Sequence, residues 1–117
     1  LRCGFAKVDR IRRRSGFAEL AASGRRIQTR LFIAMVAGGS AGRSRLGITV
    51  TRRVAGAVHR NRIKRRVREF FRLNRHLFAG GHLDINVIAK REAAGASGPE
   101  VFADLQELFE KAAKLDH

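Results

Sequence analysis

Hydrophobic spacing along the chain predicts a short series of elements. In "RIRRRSGFAELAASGRR" a basic lead-in precedes a short helix: Ser15 can cap it, Phe17, Leu20 and Ala21 fall three and four apart, and Gly24 can stop it. "TRLFIAMVAGGSAGRSRLGITVTRR" then contains two β-type runs, about Arg30 to Ala37 and Leu46 to Thr51, joined by a Gly/Ser-rich loop. In the second run Leu46, Ile48 and Val50 alternate with Gly47, Thr49 and Thr51, which predicts one core face and one small, polar face. "DINVIAK" reads as a further strand, followed by a Gly/Ser loop ending at Pro99. In "PEVFADLQELFEKAAKL" the residues Val101, Phe102, Leu105, Leu108, Phe109 and Ala112 make one helical stripe, and Pro99 suits the first turn.

Between the strands lies "HRNRIKRRVREFFR", His59 to Arg72. On a helical wheel Ile63, Val67, Phe70, Phe71, Leu77 and Phe78 cluster on one side, while Asn61, Lys64, Arg65, Arg68 and Arg72 gather opposite. The expected element is an amphipathic helix with its apolar face on a sheet and a cationic face outward. Asn61, Arg65, Arg68 and Arg72 stand in one row, where like charges repel unless a polyanion neutralises them. Asn61, uncharged and able to donate and accept, could read a base edge or a 2′-hydroxyl beside them.

Charge sharpens this picture. The 117 residues contain 25 Lys and Arg against 10 Asp and Glu, for a formal net charge of +15. The acids concentrate in the last helix, so the basic character belongs to the first two thirds. At this length and 44% hydrophobic content the expectation is one domain spanning residues 1–117. Nucleic acid is the partner that such a charge suits. The longest apolar runs fall short of a membrane span, and the arginine-rich start lacks the apolar core of a secretory signal. A lone cysteine, Cys3, rules out an internal disulfide framework. A cytoplasmic protein with no membrane partner is expected.

Among readings of the basic helix, a membrane-surface role would need the apolar face that the core requires. A DNA-reading helix-turn-helix would be all-helical around the motif, which the strands oppose. Structured RNA is the favoured partner. His59, His76, His82 and His117 are scattered, Asp84 reads as a strand-entry residue, and neither a metal-ligand spacing nor a nucleophile–base pair is evident, so no catalytic or metal residue is expected.

"RNRIKRRVREFFR", preceded by "LGITVTRRVAGAVH", resembles the signature of the bacterial ribonuclease P protein subunit, including an Arg-Asn-Arg motif at Arg60, Asn61 and Arg62. The likeness is most specific from about Arg45 to Arg72, and the order of elements agrees over nearly the whole chain. It implies a two-layer α/β (α+β) sandwich like domain 2 of ribosomal protein S5, in the order α-β-β-β-α-β-α. A short extra strand near Arg26 to Thr29 and a left-handed βαβ crossover through the basic helix are also implied. In that family the RNA subunit is the catalyst, removing the 5′ leader of precursor tRNA by metal-assisted attack of water on a phosphodiester.

By resemblance, Arg60, Asn61, Arg62, Lys64, Arg65, Arg68 and Arg72 dock on the RNA subunit, with one protein per catalytic RNA. A second surface holds the single-stranded leader: Thr49 and Thr51 on the sheet, Arg52 and Arg53 beside them, and Phe17 on the first helix. Ala21 and Met35 stand where family members often carry aromatics, which leaves fewer stacking platforms. Phe17 reads equally as a core residue or as a base platform. Mg²⁺ is expected in the holoenzyme, held by RNA phosphates. The alternative is a ribosomal or other structural RNA-binding protein of the same sandwich class; a self-sufficient protein nuclease would need acids or histidines that this sequence does not assemble.

Overall fold

In a computed structural model of the chain, the described residues are 11, 20, 22, 24–38, 44–74 and 83–114. They form strands β1 (Arg25–Gln28), β2 (Phe32–Gly38) and β3 (Arg45–Thr49), helix α1 (Ala57–Leu73), strand β4 (Leu83–Ala89), a 3-10 turn (Arg91–Gly95) and helix α2 (Gly98–Lys114). Leu20 and Ala22 are also helical; Ser15, Phe17, Ala21, Leu77 and Phe78 lie outside the described residues.

The strands make one sheet in the order β1-β2-β4-β3. β1 and β4 flank β2 antiparallel, while β3 runs parallel to β4. A parallel pair cannot be closed by a tight turn, and α1 supplies the crossover between β3 and β4. The result is the mixed α/β sandwich expected. Small differences lie at the ends. β2 starts at Phe32 rather than Arg30, because Arg30 and Leu31 form the bend after β1, and β3 ends at Thr49, leaving Thr51 to open the turn into α1.

Alternation decides which side of the sheet is covered. Phe32, Ala34 and Val36 of β2 and Ile85, Val87 and Ala89 of β4 are opposite one another in register and all buried. They share one core with Leu46, with Ile63, Val67, Phe70 and Phe71 of α1, and with Val101, Leu105, Leu108, Phe109 and Ala112 of α2. Both helices therefore lie on the same side. Phe109 meets Phe70 and Phe71 edge-on, with ring centroids 5.2 and 6.2 Å away, and Phe102 caps Phe70 at 5.7 Å. Such perpendicular rings add to the area they bury.

α2 begins with a reciprocal cap that reading Pro99 alone does not reveal. The Glu100 amide donates to Ser97 Oγ at 3.2 Å, and the Ser97 amide donates to Glu100 Oε1 at 3.0 Å. This capping box satisfies donors that the first turn leaves unpaired. One turn on, Asp104 accepts from the Thr29 hydroxyl and from the Leu31 amide at 3.2 Å, fastening the β1–β2 bend to α2. Lys90 Nζ donates to the Thr29 carbonyl at 2.7 Å from the other side.

Gly24 marks the passage from the helical residues Leu20 and Ala22 into β1. Its amide donates to the Leu20 carbonyl at 2.8 Å. A Cβ there would fall 2.4 Å from that same oxygen and 3.3 Å from the Val36 carbonyl, so the close approach admits glycine alone. Among the described residues, no helix is long and apolar enough to cross a membrane.

Candidate nucleic-acid interface

α1 carries its charges on the side away from the core. Asn61, Arg62 and Arg65 are exposed, and Lys64 and Arg68 are partly so. Ile63, Val67, Phe70 and Phe71 are the buried residues of the same helix. The 3.6-residue period accounts for both sets at once. Arginines of this helix are also occupied within the fold. Arg60 Nη1 donates to the Ala55 carbonyl at 3.1 Å, folding back over the turn that starts the helix. Arg66 Nη1 donates to the Ala96 carbonyl at 3.3 Å, tying α1 to the loop before α2.

Arg72 is paired with Glu69, its Nε donating to Oε2 at 3.1 Å. That hydrogen bond and the guanidinium charge hold the Glu69 carboxyl below the usual carboxylate range. The cationic row is thus partly neutralised at its last turn and strongest from Asn61 to Arg65. Its first turn contains no acid, and Gly56 supplies no capping side chain. The positive end of the helix dipole adds to the local field rather than being cancelled.

The sheet side away from α1 and α2 forms a second surface. Thr49 and Met35 lie there, both partly exposed. Register places Met35 opposite Asn86, and Asn86 opposite Gly47. The Thr49 hydroxyl donates to Asn86 Oδ1 at 3.2 Å. Near one end of the same face Arg45 grips Asp84 through Nε at 3.0 Å and Nη2 at 2.7 Å. Asp84 is therefore a strand-entry residue held by an arginine fork. Thr51, Arg52 and Arg53 are exposed on the turn between β3 and α1, where the Val54 amide donates to the Thr51 carbonyl at 3.1 Å. These two arginines stand where the sheet face and the helix meet.

Phe17 and Ala21 lie outside the described residues, as do Cys3, His76, His82 and His117; His59 is exposed on α1. Among the described residues, no group of three or more His, Cys, Asp or Glu could hold a metal ion. Sequence reasoning missed Asn86, whose signal was a lone amide inside the apolar run "DINVIAK".

Comparison with known proteins gives a consistent result. The family model described as Ribonuclease P matches residues 5–113. The ribonuclease P protein component of Desulforapulum autotrophicum is 46% identical over 112 residues, covering 96% of this chain and 95% of that one. Among solved structures, the RNase P protein of Staphylococcus aureus superposes with a TM-score of 0.82 at 28% identity, covering 93% of this chain and 98% of that one. The RNase P protein from Thermotoga maritima gives 0.81 at 28% identity, over 92% and 98%. With its cationic helix packed across a sheet of this order, the chain belongs to the ribonuclease P protein family.

Proposed function

We propose that the exposed side of α1 docks on the catalytic RNA subunit and that the sheet face away from α1 and α2 holds the 5′ leader of precursor tRNA. A ribonuclease P protein component is part of a tRNA-processing endoribonuclease complex and has an RNA subunit as its partner. The observation that carries the reading is the division of α1 into a buried apolar side and an exposed side bearing Asn61, Arg62 and Arg65. Planar guanidinium groups suit phosphate oxygens, and a rigid helix presents them at fixed spacing. Arg60, Lys64, Arg68 and Arg72 extend the same surface.

The leader would pass over Thr49 and Met35, with Thr51, Arg52 and Arg53 at the junction; Phe17 and Ala21, outside the described residues, are added to this surface by the family resemblance alone. A single strand needs a groove with cations for phosphates and flat or apolar side chains for bases. Hydrolysis of the phosphodiester belongs, in this reading, to the RNA, together with the Mg²⁺ that assists it. The protein positions the substrate, one copy per catalytic RNA, in the cytoplasm.

The deciding experiment incubates purified protein with precursor tRNA and Mg²⁺, alone and then with ribonuclease P RNA. The expected outcome is no cleavage alone and correct 5′ maturation in the mixture, with tighter binding of precursor than of mature tRNA. Specific 5′ cleavage by the nuclease-treated protein alone would overturn the assignment of catalysis to RNA.

A further inference from the structure

Asn86 is a polar residue in the middle of a buried strand. Its neighbours Ile85 and Val87 point into the core and are fully buried, whereas Asn86 lies on the opposite side at 9% exposure. A β-branched residue would fit this strand position with no polar group to satisfy. The Thr49 hydroxyl occupies Oδ1. Among the described residues the amide nitrogen has no hydrogen-bond acceptor. Buried donors in this condition cost stability and call for an explanation. The side chains flanking Asn86, Met35 and Thr49, are both partly exposed, so this face of the sheet meets solvent beside the amide. One strand beyond Met35 in the same row stands the exposed Arg26, a cation for an adjoining phosphate.

We propose that Asn86 is a specificity-determining residue that donates from Nδ2 to a carbonyl oxygen on the edge of one leader base. This rests on the placement of the leader on the sheet face. Uracil and guanine carry a carbonyl at the edge position where cytosine and adenine carry an amino group. Because Thr49 engages Oδ1, the amide presents donors to the ligand. A carbonyl opposite it completes a hydrogen bond, and an amino group opposite it sets donor against donor. The face therefore selects uracil or guanine at a single leader position.

The test measures affinity of the reconstituted holoenzyme for precursor tRNAs in which each leader position near the cleavage site is in turn U, G, C or A. Mature tRNA is the leader-free reference. At one position the U and G substrates should bind about fivefold more tightly than C and A, the scale of one neutral hydrogen bond against an unmet donor. Asn86→Leu, lacking donors, should bring that ratio close to one. Asn86→Asp, which accepts where the amide donates, should reverse the preference. Thr49→Val gives a second route that leaves Asn86 in place: it frees the amide to turn and should flatten the ratio too. Circular dichroism establishes folding. A folded Asn86→Leu protein with an unchanged preference, or wild type with no preference at any position but tighter binding of precursor than mature tRNA, overturns this inference while the leader site stands. Equal binding of precursor and mature tRNA by wild type overturns the leader site itself.

Discussion

Arg65 and Val67 are close neighbours in the chain with opposite consequences for the protein. Arg65 is exposed and Val67 is fully buried. Arg65→Ala should leave the melting transition nearly unchanged and weaken RNA-subunit affinity by about 1–3 kcal/mol, the range for a charge-assisted contact. Val67→Asp should unfold or severely destabilise the protein, because it buries a carboxylate with no partner among fully buried side chains. Denaturation and filter binding on both variants check the assignment of faces. At Glu100 the expectation concerns pH. Hydrogen bonds from the Ser97 backbone and side chain and from Arg30 hold its carboxyl below the usual carboxylate range. A lowered folded value means that the contribution is complete above the unfolded value and is lost as pH falls through the folded one. The stability difference between wild type and Glu100→Gln should thus shrink on acidification, as read by urea titration at several pH values. Ser97→Ala, which removes the other half of the box, should cost about 1 kcal/mol near neutrality.

Side-chain hydrogen bonds fasten one element to another, and Asp104 is the clearest of these joints. It alone receives both the Thr29 hydroxyl and the Leu31 amide, with Thr29 6% exposed. Asp104→Ala should lower unfolding stability by about 1–3 kcal/mol by stranding these donors, and Asp104→Asn by less, because both reach Oδ2 and a neutral amide oxygen in its place still accepts them, without the charge. A chevron or equilibrium urea series separates the two. How much of each element could be read beforehand follows its periodicity. The stripes of α1 and α2 were legible because Ile63, Val67 and Phe70, and Val101, Leu105, Leu108 and Ala112, repeat at helical spacing. Alternation likewise identified the sheet faces at Leu46 and Thr49. β1 was not visible in the pattern, since a four-residue edge strand with one apolar residue, Ile27, has no period to detect; only the family resemblance placed it. The roles of Arg60 and Arg66 within the fold were equally hidden, because they bond to the backbone carbonyls of Ala55 and Ala96, whereas the Glu69–Arg72 pair, three apart on one helix, was open to reading and was passed over. Asn86 was passed over because its only described partner, Thr49, lies 37 residues away in sequence.

Across the whole molecule the charge is divided. α2 carries Glu100, Asp104, Glu107 and Glu110, whereas α1 carries a single acid, Glu69. The two helices share one face of the sheet, so a polyanion approaching that face is drawn toward α1 rather than toward α2 beside it. RNA-subunit affinity should accordingly fall steeply with salt: for about five phosphate contacts, the slope of log affinity against log salt is about −4. Arg65→Ala should make that slope shallower by about one. A flat response in wild type would mean that the cationic side is not the interface. The strand order has a further consequence, for synthesis. β4 is the inner neighbour of both β2 and β3, yet it follows them and α1 in the chain. Until it emerges from the ribosome, β1–β2 is the one pair available among the described strands, and the parallel β3–β4 contact waits on the full crossover. Pairings that span so much chain are slow to close and leave apolar strands uncovered meanwhile. A nascent chain stopped before Leu83 therefore carries its whole cationic segment beside a sheet with no centre, able to attract RNA before it can fold.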